Sequence, residues 1–278
     1  MRVVVVGSFT IDYVGDDVRL GGPLFYSAYI LHKLGYEVVA AGAVPDDIDI
    51  PYKSVALCTL VPKFRLRYLD SEGKVREVEL VERGCVINLI PDELIKDSVV
   101  IVNTVINEVP YEVLRRVRDL CRFLAIDIQG FVRRSFDGKV AIEWSDEVTE
   151  VLALADVIHA DISEVPIEPK DPLKAALYLR GFTDGVVTVT MGSDGSVIAY
   201  DGKVFRLTSL NEVGDPTGAG DIFLAVLAVK IAEGMDPLEA ALYSTVVAGL
   251  KVRYSGFSFP NELIPKEIGN IDVIPLRT

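Results

Sequence analysis

Short apolar runs alternate with longer amphipathic segments along most of the chain. Six runs are rich in β-branched residues and have the length of one strand: RVVVVGS, EVVAAGAV, SVVIVNTV, RFLAIDI, DVIHADI and GVVTVTM. Helical patterns lie between most of them, such as PLFYSAYILHKLG, which ends at Gly35, PYEVLRRVRDLC and PLKAALYLRGF. Strands that are apolar on both faces and alternate with helices predict a doubly wound α/β fold, with a mostly parallel sheet covered by helices on both faces.

One segment departs from this pattern. CTLVPKFRLRYLDSEGKVREVELVERG alternates with period two around DSEG, which is a hairpin turn signal. Phe64 and Leu66 are predicted on one face of the ribbon and Arg65 on the other, and the imperfect phase of the second strand indicates a bulge. We predict a single domain over the whole chain with a small β lid at approximately 13–20 and 58–86. The ribbon is either a structural hairpin or a cover that closes over a substrate.

Composition narrows the classes of function. The 278 residues carry a net charge of −13, and Lys and Arg are scattered, so we expect no nucleic-acid partner. No apolar run approaches the length of a membrane span, and the N-terminus lacks the pattern of a signal peptide. The three cysteines form no CxxC pair, so we expect reduced thiols and a cytoplasmic protein. The single glutamine, Gln129, among many charged residues favours a thermophilic source.

The most informative stretch is NEVGDPTGAGDIF. Gly218, Ala219 and Gly220 let a ligand approach the backbone closely, and the following helix, DIFLAVLAVKIAEG, is predicted to begin near Asp221 and to end at Gly234. The N–H groups and dipole at a helix N-terminus bind phosphate. A carboxylate beside a phosphate makes sense if it takes a proton from a hydroxyl during phosphoryl transfer. The alternative is that Asp221 only caps the helix and the glycines only form a turn.

DPTGAGD followed by IFLAVLAV resembles the C-terminal signature of the ribokinase-like carbohydrate kinases, the PfkB family. The resemblance implies a ribokinase-like fold, with Asp221 as catalytic base and with Gly218, Ala219 and Gly220 as the anion hole for the transferred phosphoryl group. ATP and Mg²⁺ are the cofactors it implies. A monovalent cation near the anion hole is also common in the family, and the sequence leaves its presence open.

Other segments resemble the family along nearly the whole chain. GSFTID implies a substrate-binding role for Asp12, and GGPLFYSAYILHKLG resembles the N-terminal signature, with Gly21 and Gly22 as a hinge to the lid. Many members carry Asn where this chain has Tyr26, which argues against ribose as substrate and makes Tyr26 a substrate-site candidate. By the residues alone, Asp12 could equally be a simple loop carboxylate.

The donor side of the predicted site comes from three further segments together with the glycine signature. HADISEV lies where the family has Asn-x-x-Glu, so Asp161 and Glu164 would position hydrated Mg²⁺. TMGSDG, the glycine signature and STVVAGLKVRYSGFSFP imply a nucleotide site formed by Thr190, Gly192, Gly195, Thr217 and Gly256. The alternatives are a solvated face for the two carboxylates and a plain hairpin turn for GSDG.

The acceptor is predicted from AIDIQGFVRR. Asp127, Gln129 and Arg133 follow a strand at the edge where parallel sheets bind ligands. Asp127 and Gln129 could bind polyol hydroxyls and Arg133 a phosphate, or Asp127 could be a cap with Arg133 on the surface. The D-x-Q-G-x-x-R pattern, together with the tyrosine after Gly-Gly, resembles the myo-inositol kinase branch.

We therefore expect an ATP- and Mg²⁺-dependent kinase that phosphorylates a hydroxyl of a sugar or polyol, with myo-inositol favoured. The alternatives are a nucleoside or sugar-phosphate kinase of the same family and a non-catalytic sugar- or nucleotide-binding regulator on the same fold. His32 and His159 are expected to be structural, and Trp144 to be packing. The hydroxyl phosphorylated, the choice among ATP, GTP and ADP, and a monomer or a homodimer through the lid all stay open.

Overall fold

The computed structural model describes residues 1–68, 76–254 and 271–277. Within them the chain forms a ten-stranded main sheet and a six-stranded small sheet. The strands are β1 (Arg2–Ser8), β2 (Thr10–Val14), β3 (Asp17–Gly21), β4 (Glu37–Ala43), β5 (Lys53–Cys58), β6 (Lys63–Tyr68), β7 (Arg76–Glu82), β8 (Val99–Asn103), β9 (Phe123–Asp127), β10 (Arg133–Phe136), β11 (Lys139–Ile142), β12 (Val157–Asp161), β13 (Val186–Thr190), β14 (Ser196–Tyr200), β15 (Lys203–Leu207) and β16 (Val273–Pro275). The helices are α1 (Pro23–Lys33), α2 (Asp92–Ile95), α3 (Tyr111–Leu120), α4 (Gln129–Val132), α5 (Asp146–Leu154), α6 (Pro172–Arg180), α7 (Ala219–Ala232) and α8 (Pro237–Val252).

The main sheet has the strand order β16-β15-β14-β13-β12-β9-β8-β1-β4-β5. Its strands are parallel from β13 to β5, and β14, β15 and β16 add an antiparallel edge. The six predicted apolar runs are all strands of the parallel part, in agreement with the doubly wound prediction. The side chains of Val3 to Val6 are fully buried, as expected for a strand covered on both faces.

Two apolar clusters flank the main sheet. α1, α7 and α8 pack in one of them, and α3, α5 and α6 pack in the other. α7 is buried along almost its entire length, from Ile222 to Val229, because it lies between the sheet, α1 and α8. This burial explains why the sequence of α7 is apolar on every side rather than amphipathic.

The small sheet has the order β10-β11-β7-β6-β2-β3. The predicted ribbon is confirmed as the antiparallel pair β6–β7, with a register shift beside Phe64 that marks the expected bulge; its DSEG turn lies outside the described residues. Phe64 and Leu66 are buried, and Arg65 faces outward and pairs with Glu79 at 2.8 Å. The hairpin β10–β11 also joins this sheet, so the predicted lid boundaries omitted one hairpin.

The expectation of three reduced thiols is wrong for two of the cysteines. The structure pairs Cys58 with Cys85 as a disulfide, with Cα atoms 6.6 Å apart, whereas Cys121 is a free buried thiol. The backbone N–H of Cys85 donates to the carbonyl of Leu60, which brings the segment after β7 beside the end of β5. Residues 27 positions apart carry no spacing signal for such a contact, so the sequence pattern could not reveal it.

Candidate active site

The predicted site lies where the carboxyl ends of β8, β9, β12 and β13 approach the N-terminus of α7. Asn103, Asp127, Asp161 and Thr190 are the last residues of these four strands. In a parallel α/β sheet this edge is where ligands bind. The same topology therefore brings together residues that lie far apart in the sequence.

The glycine loop forms the N-terminal end of α7. Gly218 is the N-cap and has a left-handed backbone (φ 80°). A Cβ atom there would lie 2.3 Å from the Tyr26 ring, so only glycine fits. Asp221 lies within the first turn, and the interpretation of Asp221 as the N-cap is wrong. The helix begins two residues earlier than the apolar pattern indicates, at Ala219.

Two buried residues, Asn103 and Ser27, hold Asp221 in place. Asn103 Nδ2 donates to Asp221 Oδ1 and to Ser27 Oγ, both at 3.1 Å, and Ser27 Oγ donates to the Asp221 carbonyl at 3.1 Å. Asn103 Oδ1 is buried and has no hydrogen-bond partner within the described residues. An unsatisfied buried acceptor beside a carboxylate is suited to receive a hydroxyl from a ligand.

The surroundings of Asp221 raise the pKa of its carboxyl. Burial, followed by the negative charge of Asp127, raises the pKa of Asp221 to about 6, while the Asn103 hydrogen bond and the charges of His159 and Arg133 oppose the rise. At neutral pH the carboxylate is therefore mostly ionised, yet it is a stronger base than an ordinary aspartate. Such a value suits a general base that works near pH 7.

A buried chain of polar groups runs beside the glycine loop. His159 Nδ1 lies 2.7 Å from Asp127 Oδ2, and His159 Nε2 lies 3.2 Å from Thr190 Oγ1. Burial lowers the pKa of His159, but the charge and hydrogen bond of Asp127 outweigh it, so the net shift is upward. A Cβ atom on Gly220 would lie only 3.3 Å from the His159 ring, so the imidazole lies against the predicted anion hole.

Asp161, Glu164 and Arg133 form a second polar group. Glu164 is almost fully buried, pairs with Arg133 at 3.2 Å and accepts the Asp161 N–H at 3.0 Å. Burial raises the pKa of Glu164 to about 7, although the Arg133 charge opposes the rise. Trp144 Nε1 donates to the Glu164 carbonyl. Within the described ranges, no three His, Cys, Asp or Glu side chains are grouped to hold a metal ion.

The predicted acceptor residues lie along the junction of the two sheets. Asp12 is in β2, and its carboxylate lies over Gly21, where a Cβ atom would come within 2.7 Å of it. Gly22 has φ 96° and packs on the backbone of residues 8–10. Tyr26 is buried against Gly218, and Gln129 opens α4 and donates to the Thr104 carbonyl at 3.3 Å.

Two of the predicted nucleotide residues lie at the turn between β13 and β14. Gly192 begins a 3-10 turn and Gly195 follows it. Gly195 has φ 93°, and the Leu207 carbonyl lies too close to admit a Cβ atom. The turn alone thus explains Gly195. Thr217 immediately precedes Gly218, and its carbonyl accepts from Lys251. Gly256 lies outside the described residues.

Several site residues are not predicted from the sequence. Ser27 carries no signal there, whereas Asn103 lies near the end of the predicted strand SVVIVNTV, and that position is the signal that indicates a site residue. His159 was expected to be structural only. Lys251 follows an apolar helical pattern that gives no sign of its contact with the glycine loop.

The chain is similar to known carbohydrate kinases. The family described as "pfkB family carbohydrate kinase" matches residues 93–263, which is more than half of the chain. The inositol 3-kinase of Zea mays is 31% identical over 156 residues, which are 55% of this chain and 39% of that protein. The chain thus spans about two fifths of the length of that relative. Within the described residues, no helix is long and apolar enough to cross a membrane.

Solved structures show the same fold. A pyrophosphate-dependent kinase in the ribokinase family, complexed with a pyrophosphate analogue and myo-inositol, superposes with a TM-score of 0.79 at 20% identity and covers 91% of this chain and 96% of its own. Arabidopsis thaliana ribokinase, complexed with ribose and ATP, gives 0.67 at 18% identity and 95% of each chain. With the family match over the glycine loop and the shared α/β architecture, this chain belongs to the pfkB family of carbohydrate kinases and has a ribokinase-like fold.

Proposed function

We propose that the protein transfers a phosphoryl group from ATP to a hydroxyl of a polyol, and that the polyol is myo-inositol. The observation that carries the proposal is Asp221, held by Asn103 in the first turn of α7, directly after a glycine loop that admits no side chain at Gly218. This arrangement combines a base and an anion site within one helical turn.

The chemistry follows from that geometry. Asp221 accepts the proton of the acceptor hydroxyl as the new oxygen–phosphorus bond forms and the bond between the donor's bridging oxygen and its terminal phosphorus breaks. The backbone N–H groups of Gly218 and Gly220 would bind the transferred phosphoryl oxygens, whereas the N–H of Ala219 donates to the Pro216 carbonyl at 3.0 Å. His159 lies beside Gly220 on the same side, and the neighbouring Asp127 carboxylate favours the protonated form of its imidazole.

The acceptor site would be formed between the main sheet edge and the small sheet. Asp12, Gln129 and the free Oδ1 of Asn103 offer groups that bind hydroxyls. Arg133 lies nearby on the strand that follows α4 and joins the small sheet. We propose that the small sheet closes over the acceptor about Gly21 and Gly22 and excludes water, which would otherwise accept the phosphoryl group. The maize inositol 3-kinase and the structure with bound myo-inositol support the choice of acceptor.

Mg²⁺ would neutralise charge on the donor phosphates. The residues present fit a hydrated ion, since Mg²⁺ usually keeps several waters and takes one or two carboxylates. Asp161 is partly exposed and can bind such a water, whereas Glu164 already binds Arg133 and the Asp161 N–H and would hold Asp161 in place. This division of roles agrees with the lack of a three-ligand cluster within the described residues.

The donor has a second candidate. One structural relative is pyrophosphate-dependent, and the glycine loop with His159 would bind the phosphates of either donor. ATP is preferred here because TMGSDG, which contains Thr190, Gly192 and Gly195, resembles the nucleotide-site motif of the family. A direct comparison of the two donors decides between them.

The test is phosphorus NMR of the reaction products with ATP or pyrophosphate, Mg²⁺ and one of five acceptors: myo-inositol, ribose, fructose 6-phosphate, adenosine or cytidine. We expect a phosphate monoester of myo-inositol with ATP and a loss of kcat of about 10²–10⁴ in Asp221→Asn. The exposed Asp92 supplies a matched control, Asp92→Asn, which should keep wild-type kcat. Near wild-type turnover in Asp221→Asn would overturn the assignment, and binding without transfer to any acceptor would favour the non-catalytic regulator.

A further inference from the structure

Lys251 is a fully buried lysine that the proposed reaction does not use. It lies in the last turn of α8, and its side chain has no exposed surface. Its Nζ donates to the carbonyl of Asp215 at 2.9 Å and to the carbonyl of Thr217, and it lies 3.9 Å from Asp215 Oδ2. Three oxygens of the loop that leads into the anion hole therefore surround one ammonium group.

An aromatic ring completes this environment. Lys251 Nζ lies 5.3 Å from the centre of the Tyr26 ring, and the same ring packs against Gly218. The Asp215 N–H also donates to the Val252 carbonyl at 2.8 Å, which fixes the loop to the end of α8. Carbonyl oxygens, a carboxylate and a ring face together form a typical cation site.

The electrostatic cost of this burial indicates a specific role. Burial lowers the pKa of Lys251, and the carboxylates of Asp215 and Asp221 oppose that shift by favouring the charged form. A buried ammonium is costly unless several groups compensate it. A lysine at the surface would not bear this free-energy cost. We therefore infer that the buried charge stabilises the loop in a way that a neutral side chain would not.

The resemblance to the family raises the question of a monovalent cation near the anion hole. The residues present do not fit one at this loop, because the oxygens of Asp215 and Thr217 that would bind it are already occupied by Lys251. A second cation bound to the same oxygens would lie within a few ångströms of the ammonium, where like charges repel strongly.

We propose that the ammonium group of Lys251 is a built-in cation that holds the Asp215–Gly218 loop, so that phosphoryl transfer needs no added monovalent cation. Lys251 is a positioning residue, since it acts through Thr217 and Gly218 rather than on the substrate. The effect on catalysis rests on the proposed kinase function. The binding of the loop by the ammonium does not depend on it.

The first arm of the test uses the wild-type protein. Initial rates are measured in KCl, NaCl and tetramethylammonium chloride at equal ionic strength, so that general screening is the same in all three. We expect the same kcat in each salt. A several-fold stimulation by K⁺ over tetramethylammonium would overturn the proposal, and this arm needs no variant to fold.

The second arm compares two substitutions that differ in the space they leave. Lys251→Met removes the charge and fills the space of the lysine side chain, whereas Lys251→Ala removes the charge and leaves room for a small cation. Both should lower kcat by about 100-fold, because the loop loses its fixed position, with a smaller change in the KM of the acceptor. Added K⁺ or methylammonium should restore much of the activity of Lys251→Ala and none of that of Lys251→Met.

Lys230 on α7 provides the matched control. It is also a part-buried lysine beside aromatic rings, but it binds Tyr36 and Glu233 away from the glycine loop. Lys230→Met should keep wild-type kcat in every salt. Wild-type kcat in Lys251→Met, or equal rescue of both Lys251 variants by K⁺, would contradict the role of the ammonium.

A third arm requires no substrate. The thermal unfolding midpoint of Lys251→Ala should be higher in KCl than in tetramethylammonium chloride, whereas the midpoints of the wild type and of Lys251→Met should not differ between the salts. Equal midpoints for Lys251→Ala would overturn the cation site. If the wild type phosphorylates no acceptor in any salt, the proposed function fails, and the melting data still decide whether Lys251 occupies a cation site.

Discussion

Replacing Asp221 by Asn should make the protein more stable while removing its activity. The substitution keeps the size of the side chain and an oxygen that can accept from Asn103 Nδ2. It removes a negative charge that burial and Asp127 disfavour in the folded state. Opposite effects on stability and turnover are expected of a catalytic group that is held in an unfavourable environment.

The size of the expected stability gain follows from the pKa of Asp221, which is raised from 3.8 to about 6. A folded-state pKa above the unfolded value means that the ionised carboxylate destabilises the fold, fully so above about pH 6. Two pKa units correspond to about 3 kcal/mol. Because the side chain is partly exposed and solvent screens the charge, we expect a gain of about 1–2 kcal/mol in Asp221→Asn.

The assay is urea unfolding of wild type and Asp221→Asn at two pH values. At pH 7.5 the variant should be more stable by that amount. At pH 4 the difference should nearly vanish, because the folded wild type then carries a protonated Asp221 and no longer bears the penalty. The Asp92→Asn variant should show no gain of this kind, since Asp92 is exposed and pairs favourably with Arg116.

Two results would refute the reasoning. A loss of stability in Asp221→Asn at pH 7.5 would mean that the carboxylate contributes favourable interactions greater than its burial cost. An equal gain at pH 4 and pH 7.5 would mean that the effect does not come from ionisation. Either result would remove the physical basis for a base with a raised pKa at this position.

Three further predictions concern neighbouring groups. Gly218→Ala should lower kcat and the unfolding midpoint far more than Gly220→Ala, because its Cβ would meet the Tyr26 ring at 2.3 Å and its φ is 80°, whereas the nearest atom to Gly220 lies at 3.3 Å; circular dichroism melts and kinetics on the pair check this. The pH profile of kcat/KM should lose activity below about pH 6 as Asp221 is protonated, and a limb near pH 4 would contradict the raised pKa. Arg133→Met should destabilise the fold by only about 1–2 kcal/mol at pH 7, the scale of one charge-assisted hydrogen bond, because Glu164, whose pKa is already about 7, takes up a proton when it loses the cation; the loss should grow at pH 8.5, and adding Glu164→Gln should recover part of it in a double-mutant cycle by urea unfolding.

The parallel sheet and the glycine loop could be predicted because their signals are local. A buried strand is visible as a run of apolar β-branched residues, and the loop as DPTGAGD before an apolar helix. Even there the start of α7 was placed two residues late. The apolar run begins at Ile222, whereas the positive φ of Gly218 determines where the first turn begins. The hydrophobic pattern of the sequence contains no information about that backbone angle.

The rest of the site depends on contacts between distant segments. Asn103 reaches Asp221 across 118 positions, and Lys251 reaches Asp215 across 36. In the sequence, Lys251 is a lysine in the last turn of a helix. Lysines at such positions usually lie at the surface and interact favourably with the helix dipole. The hairpin β10–β11 is not predicted for a related reason. Its alternation of polar and apolar residues is weak, and β11 is recognisable as part of the small sheet only through its pairing with β7.

The charges of the site explain how so acidic a chain can bind an anionic donor. The protein has a net charge of −13, and four carboxylates lie at or near the strand ends: Asp127, Asp161, Glu164 and Asp221. Three basic side chains lie among these carboxylates and beside Asp215. Arg133 pairs with Glu164, His159 with Asp127, and Lys251 with Asp215. Because Arg133 and Lys251 hold positive charge near Asp221 and the glycine loop, the phosphates of the proposed reaction would meet backbone N–H groups and cations, and Asp221 would be the carboxylate that takes the proton.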